Sequence, residues 1–252
     1  MATASIQNQF FAPIIPPEVI VSEYDNLDIV IEMCDVLSRV NNQSIYVIDY
    51  KQQTFLHVSP HPLFLCGYSA DEVKAMGYSF YEKVVSPDEL QMLLEINKLG
   101  WELFYSILAK ERIYSRISYD FHLYHKNGHR TLVNHKLGVL RLATDGNIWL
   151  GICVVNYSPN KMAGNVIFSH SELSQYYVFD VISKKITPHI PKRMTKREEE
   201  IFRLIMQGYG ETEIGERLYL SVHTIKNHRR NIENKLGVNN LTNAVAKFNL
   251  SF

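Results

Sequence analysis

The 252 residues are 46% hydrophobic, 12% aromatic and 21% charged, with 26 Lys and Arg against 26 Asp and Glu. That texture excludes a wholly disordered chain, a collagen and a coiled-coil rod, and the length suits one large domain or two smaller ones. The longest apolar run, residues 148–155, falls far short of the ~18 residues of a spanning helix, and the start MATASIQNQFFAPIIPPEV lacks the basic, apolar plan of an export signal, so the sequence predicts a cytoplasmic protein with no membrane partner.

Cys34, Cys66 and Cys153 are odd in number and widely spaced, which argues against a disulfide framework or a C-x-x-C metal site and for buried small hydrophobes. The zero net charge hides an asymmetry. Residues 192–252 hold 11 Lys and Arg against 7 Glu, or +4, leaving 15 against 19, or −4, in the rest. A basic end on an acidic body suits contact with a polyanion.

In chain order, residues 1 to about 22 are polar and proline-containing and read as a loose arm. From Asp25 to Val40, Leu27, Val30, Ile31, Cys34 and Leu37 recur at helical spacing, while Ile29, Met33, Val36 and Val40 widen the stripe beyond one face. Such a helix needs a second partner surface, and residues 1–43 are therefore expected to hold an arm and a dimerisation helix. From 44 to 158 the texture changes to strand-like runs: IYVID, TFLHV, SRISYDFHLY, TLVNHKLGVLRL and NIWLGICVV. Asn127-Gly128 and Asp145-Gly146 are hairpin signals, because these residues tolerate positive φ. Between the second and third runs, Ala70–Met76 and 87–109 read as helices. The last run is apolar on both alternating sets, so its sheet is expected to be covered on both faces, on one of them by the 25–40 helix. Residues 159–193, with QYYVFDVI, a Lys184-Lys185 turn, Pro188 and Pro191, read as a linker.

The last 60 residues carry closely packed helical signals. Thr195 and Glu198 form a capping box opening a helix that stops near Gly208; a second helix follows Gly210; Ser221 caps a third. With Ile225 as the pole of a helical wheel, Val222, Ile232 and Leu236 fall within about 60° of it, whereas His223, Asn227, Arg230 and Asn234 cluster about the opposite pole. One face is core and the other polar and basic, as a major-groove reader requires, with Thr224, Lys226 and Arg229 on the flanks.

The segment MTKREEEIFRLIMQGYGETEIGERLYLSVHTIKNHRRNIENKLGV resembles the DNA-binding domain of the LuxR family: T-x-R-E at the start, E-I in the second helix, and S-x-x-T-I-K-x-H-x-x-N-I-x-x-K-L in the third. The resemblance implies an all-α four-helix fold over residues 194–252, with Lys226, Asn227 and Arg230 facing bases and Thr224 and His228 nearer the backbone. Ser221, His223, Thr224, Lys226, Asn227, His228, Arg229, Arg230 and Asn234 are thus the candidate DNA-binding residues. Gly210, Gly215 and Leu241 depart from the family's pattern, Gly215 at a cost of about 1 kcal/mol relative to Ala unless it permits close packing. A fourth helix from about Asn240, with Leu241, Ala244, Val245 and Phe248 on one face, either closes the small core or dimerises.

The 44–158 meander resembles a PAS domain, through VSPHPLFLCGYSADEV, SPDEL and the hairpins at KNG and TDG. The expected fold class is thus α+β, a PAS-like antiparallel sheet with helices followed by the helical C-terminal domain. His57, His61, His122 and His125 fall on different strands and loops with no shared geometry, and read as solvated or hydrogen-bonded rather than as metal or haem ligands. Cys66 lacks a flavin-photoreceptor setting, and Asp88 and Glu89 read as first-turn helix charges. No catalytic residue, cofactor or metal is expected. The combined reading is a bacterial transcription regulator: a homodimer on double-stranded DNA whose PAS domain senses a signal, such as a small molecule, or dimerises. The rival is a PAS-based interaction module recruiting a partner, with weak or assisted DNA binding.

Overall fold

The computed structural model describes residues 5–171, 175–190 and 192–236. The chain divides into two compact units, Met1–His189 and Ile190–Phe252. In the first, among the described residues, six α-helices and eight strands follow in the order α1 (Ile6–Phe11), α2 (Leu27–Asn41), β1 (Ser44–Asp49), β2 (Thr54–Val58), α3 (Pro62–Leu65), α4 (Ala70–Met76), α5 (Phe80–Val84), α6 (Pro87–Ser106), β3 (Ser115–Tyr124), β4 (Arg130–Leu142), β5 (Ile148–Tyr157), β6 (Gly164–His170), β7 (Tyr176–Asp180) and β8 (Lys185–His189). Local chemistry sets the helix starts. Ser69 and Glu72 close a reciprocal capping box at α4, and Ser86 caps α6 ahead of Pro87 and the acidic pair Asp88 and Glu89, which suit an N-terminus short of acceptors and rich in N–H groups.

The strands form one antiparallel sheet in the order β2-β1-β5-β4-β3-β6-β7-β8. Its first five strands, with α3 to α6 between β2 and β3, have the PAS arrangement. The inner face buries Tyr46, Phe55, Phe121 and Val155 against Phe64 and Phe80 and against Ile96, Trp101 and Phe104 of α6. The outer face carries Ile45, Val47, Trp149 and Leu150, covered by Leu27 and Cys34 of α2. Tyr24 ties this layer down: its hydroxyl accepts from the Trp149 indole at 3.3 Å and donates to the buried Asp49 carboxylate at 2.9 Å. The opposite side of α2 leaves Ile29, Met33, Leu37 and Val40 between 40% and 76% exposed; Ile29, Met33 and Val40 belong to the set that widens the stripe toward a second partner, whereas Leu37, read with the first set, joins them in solvent and Val36 is half-buried.

Two readings of the sequence are corrected. The arm is not loose along its length: Ser5 caps α1, and Ile6, Phe10 and Phe11 are buried, with Phe10 and Phe11 packing on Tyr78 and Phe11 also on Tyr50. The i, i+4 spacing of Ile6 and Phe10 puts both on one side of a short helix. Nor is 159–193 a linker, because β6, β7 and β8 continue the sheet from β3. Val166, Phe168 and Phe179 join the inner core, and Pro188 sits in the edge strand, where a missing N–H is tolerated. The join is pinned by Asp120, fully buried on β3. Its carboxylate accepts from the side-chain amides of Asn134 (2.7 Å), Asn160 (2.6 Å) and Asn165 (2.8 Å). Burial raises its pKa above the ordinary aspartate range, and these bonds work against that rise.

The candidate histidines are dispersed. His57 on β2 lies 3.0 Å from Asp35 of α2, the His61 ring caps α3, and Glu89 of α6 takes both the backbone N–H and the ring Nδ1 of His122 at 2.6 Å. Glu89 thus clamps α6 to β3 as well as serving the helix start.

A buried polar cluster lies on the inner face, where the Tyr46 hydroxyl is 2.6 Å from both the Tyr81 hydroxyl and His135 Nε2. His135, 2% exposed, is pushed down to about 3 by burial. Burial lowers His57, His61 and His125 as well. A histidine depressed in the fold binds protons more readily once unfolded, so its full stabilisation holds above pH 6.5 and drains away as pH falls from 6.5 toward 3. At pH 5 the His135 contribution is a loss of about 2 kcal/mol. Urea titrations followed by tryptophan fluorescence, whose two reporters Trp101 and Trp149 both lie in this unit, should show the midpoint falling between pH 7.5 and pH 5, and falling less in His135→Phe.

Candidate nucleic-acid interface

The second unit is described through α7 (Lys196–Met206), α8 (Glu211–Leu218) and α9 (Val222–Leu236). Its core is Ile201, Phe202, Ile214, Ile225 and Ile232. The capping box at Thr195 forms, with the Thr195 N–H donating to Glu198 Oε2 at 2.6 Å and the Glu198 N–H donating to Thr195 Oγ1 at 3.3 Å. The same Glu198 oxygen accepts from Lys235 Nζ at 2.6 Å, although Glu198 is 3% exposed. Burial alone would raise its pKa; the bonds from Lys235 and Thr195 outweigh burial and hold the carboxyl below its ordinary range. A buried charge that is this fully bonded joins the start of α7 to the end of α9. The fourth helix expected from Asn240 lies outside the described residues, as does the departure at Leu241.

The turn between α8 and α9 is tight. Tyr219 takes a left-handed conformation, φ +54°, and is 95% exposed, and the Leu220 N–H returns to the Gly215 carbonyl at 2.9 Å. A Cβ on Gly215 would stand 2.8 Å from the Leu220 carbonyl oxygen. Glycine is the residue that lets the turn fold back this closely, and this answers the helix-propensity cost read from the sequence. Gly210, the N-cap of α8, gives its N–H to Glu213 at 2.7 Å.

Ser221 starts α9, its hydroxyl accepting from the Thr224 N–H at 3.1 Å and lying 2.8 Å from the Thr224 hydroxyl. These two candidate residues therefore also serve the cap. His223, Lys226, Asn227, Arg230 and Asn234 are exposed, whereas Thr224, His228 and Arg229 are half-buried. The polar pole of the wheel is thus the solvent face, with Ile225 and Ile232 wholly buried behind it. Val222 departs from the wheel at 38% exposed, since a first-turn side chain leans back past the N-terminal end of the packed surface.

Two carboxylates meet Lys226 and Arg229 beside this face. Glu211, the first residue of α8, lies 3.1 Å from the Arg229 guanidinium and 3.8 Å from Lys226 Nζ, and Glu233 lies 3.9 Å from Arg229. The Arg229–Glu233 pair has i, i+4 spacing and is legible in the sequence. The Glu211 contacts cross the turn and are not.

Residues 192–248 match the family model described as bacterial regulatory proteins, luxR family. The C-terminal segment belongs to the luxR family. Among curated relatives, the transcriptional regulatory protein DegU of Brevibacillus brevis is 46% identical over 54 residues, 21% of this chain and 23% of DegU. The oxygen regulatory protein NreC of Staphylococcus aureus (strain JH9) is 49% identical over 47 residues, 19% of this chain and 22% of NreC. The chain thus spans less than a quarter of the length of these relatives. A solved complex of Vibrio cholera VqmA with ligand and DNA aligns over 82% of this chain and 84% of that one, at 12% identity and a TM-score of 0.33. The N-terminal domain of a Marinobacter aquaeolei diguanylate cyclase with PAS/PAC sensor aligns over 46% and 94%, at 15% identity and a TM-score of 0.33.

In the luxR-family segment, Gly215→Val should cost stability, because the added atoms meet backbone that cannot swing aside. Overpacking of this kind costs about 1 to 3 kcal/mol. Circular dichroism at 222 nm during urea titration should show the helical C-terminal transition moving to lower denaturant, with the tryptophan-reported transition of the first unit unchanged.

Proposed function

We propose that this chain is a sequence-specific, DNA-binding transcription regulator that reads the major groove with the exposed face of α9. The observation that carries the reading is the division of that one helix in a luxR-family segment. Ile225 and Ile232 are buried on one side, while His223, Lys226, Asn227, Arg230 and Asn234 stand in solvent on the other. Asn offers paired donor and acceptor groups to adenine, and Arg or Lys can bond the acceptor edge of guanine. His228 and Thr224, half-buried beside that face, suit backbone contacts, as does Arg229. Lys226, Asn227 and Arg230 are assigned to bases, so Lys226→Ala and Arg230→Ala should each weaken binding to a selected site by about 1 to 3 kcal/mol and relax discrimination. Electrophoretic mobility shifts at moderate salt test this; unchanged affinity for the selected duplex in both variants would remove the groove-facing assignment.

The PAS-like unit is proposed to receive the signal and to pair two copies. A regulator of this kind binds two half-sites about one helical turn apart and gains from holding two reading helices together. The apolar stripe of α2 supplies the pairing surface. In the full chain, Ile29→Asp with Met33→Asp should convert a dimer to a monomer in light scattering at about 10 µM, a concentration that a specific interface of micromolar affinity or better would largely saturate. A monomeric parent would refute that assignment. The same stripe favours a second reading, in which α2 docks a different protein and DNA binding depends on it; a parent that is monomeric alone yet footprints DNA only with a partner would support that reading.

A further inference from the structure

Helix α9 holds four permanent cations, Lys226, Arg229, Arg230 and Lys235. Lys235 is committed to buried Glu198, Arg229 to Glu211 and Glu233, and Lys226 faces Glu211. Among the described residues, Arg230 is the one α9 cation with no carboxylate within 4.0 Å in an ion pair.

We infer that Glu211 is a selectivity-determining residue, an internal stand-in for DNA phosphate that holds Lys226 and Arg229 and so weakens the grip of one reading helix on any duplex. This rests on the DNA reading of α9 proposed above. A carboxylate and a phosphate oxygen compete for the same guanidinium and ammonium donors. Glu211 stands at the N-terminus of α8, the helix that crosses the DNA backbone in this docking geometry. Non-specific binding is almost wholly a phosphate contribution, so taking the Arg229 cation out of that contribution leaves recognition leaning on base contacts and on a second, linked reading helix. A single half-site then falls below the affinity at which the protein stays bound, and two correctly spaced half-sites do not.

The test compares the full-length parent with Glu211→Gln, which keeps the side chain's length and a carbonyl acceptor but drops its charge. Glu216→Gln serves as control. It removes an equal charge from the same helix at an exposed position outside the ion pairs of α9. Binding to a random-sequence duplex and to a duplex with one half-site is measured by fluorescence anisotropy across a salt series. Glu211→Gln is expected to bind both duplexes about three- to tenfold more tightly at moderate salt, with the slope of log affinity against log salt steeper by about 1, the value of one further phosphate contact. Glu216→Gln is expected to track the parent. Affinity and slope unchanged in Glu211→Gln, a loss of affinity there (the result of Glu211 aiming Arg229 at a phosphate), or an equal gain in Glu216→Gln overturns the inference while leaving the DNA reading in place. A parent and variant that bind no duplex at any salt overturn the DNA reading and this inference with it.

Discussion

The first unit depends on burying β1 and β5 from both sides. Ile45 and Val47 on one face of β1 alternate with Tyr46 and Ile48 on the other, and all four are buried. Their immediate neighbour on β5 does the same, with Cys153 and Val155 inside and Leu150, Ile152 and Val154 outside. Strands of this composition cannot face water, so the sheet requires a cover on each side. α6 and the short helices supply the inner cover and α2 the outer one. That requirement explains why α2 packs where it does, why Tyr24 reaches Trp149 and Asp49, and why α2, wider in its apolar stripe than the sheet can use, leaves a row of large side chains in solvent.

In the second unit the organising problem is electrostatic. Three short helices must hold a cationic face outward without that face repelling itself, and the solution is a set of glutamates placed by the fold rather than by the helix that bears the cations. Glu198 comes from α7 and Glu211 from α8, while Glu233 alone lies on α9. The pairs differ in weight. Glu198 with Lys235 is buried and hydrogen-bonded, so breaking it would strand a charge. Glu211 and Glu233 are partly in water, where an ion pair is worth little to stability and is easily exchanged for another anion. One pair builds the scaffold and the others tune it.

Much of this was legible in the sequence because it is written in local period and local chemistry. The five strands of the PAS-like region, the helix at Ala70–Met76, the capping box at Thr195 and Glu198, and the buried Ile225 and Ile232 opposite exposed Asn227 and Arg230 all follow from spacing along a few residues. The misses lie where the deciding partner is far away in the chain. Residues 164–189 alternate weakly and contain a proline, and they read as a linker because the edge that accepts them, β3, precedes them by about fifty residues. Phe10 and Phe11 looked like part of a polar arm because the tyrosines they pack on, Tyr50, Tyr78 and Tyr81, belong to other elements. Glu211 shows the same limit, since its ion pairs bridge two helices whose relative placement depends on the missing Cβ of Gly215.

The strand order carries a kinetic consequence. β1–β2, β3–β4, β4–β5, β6–β7 and β7–β8 pair neighbours in sequence, whereas β1 pairs β5 through Ser44 and Val155 and β3 pairs β6 across the whole β4–β5 hairpin. Loop-closure entropy makes such distant pairings the slow steps of folding. As the chain emerges from the ribosome, the β1–β2 hairpin and the helices after it must therefore wait, with β1's open edge uncovered, until β5 is made.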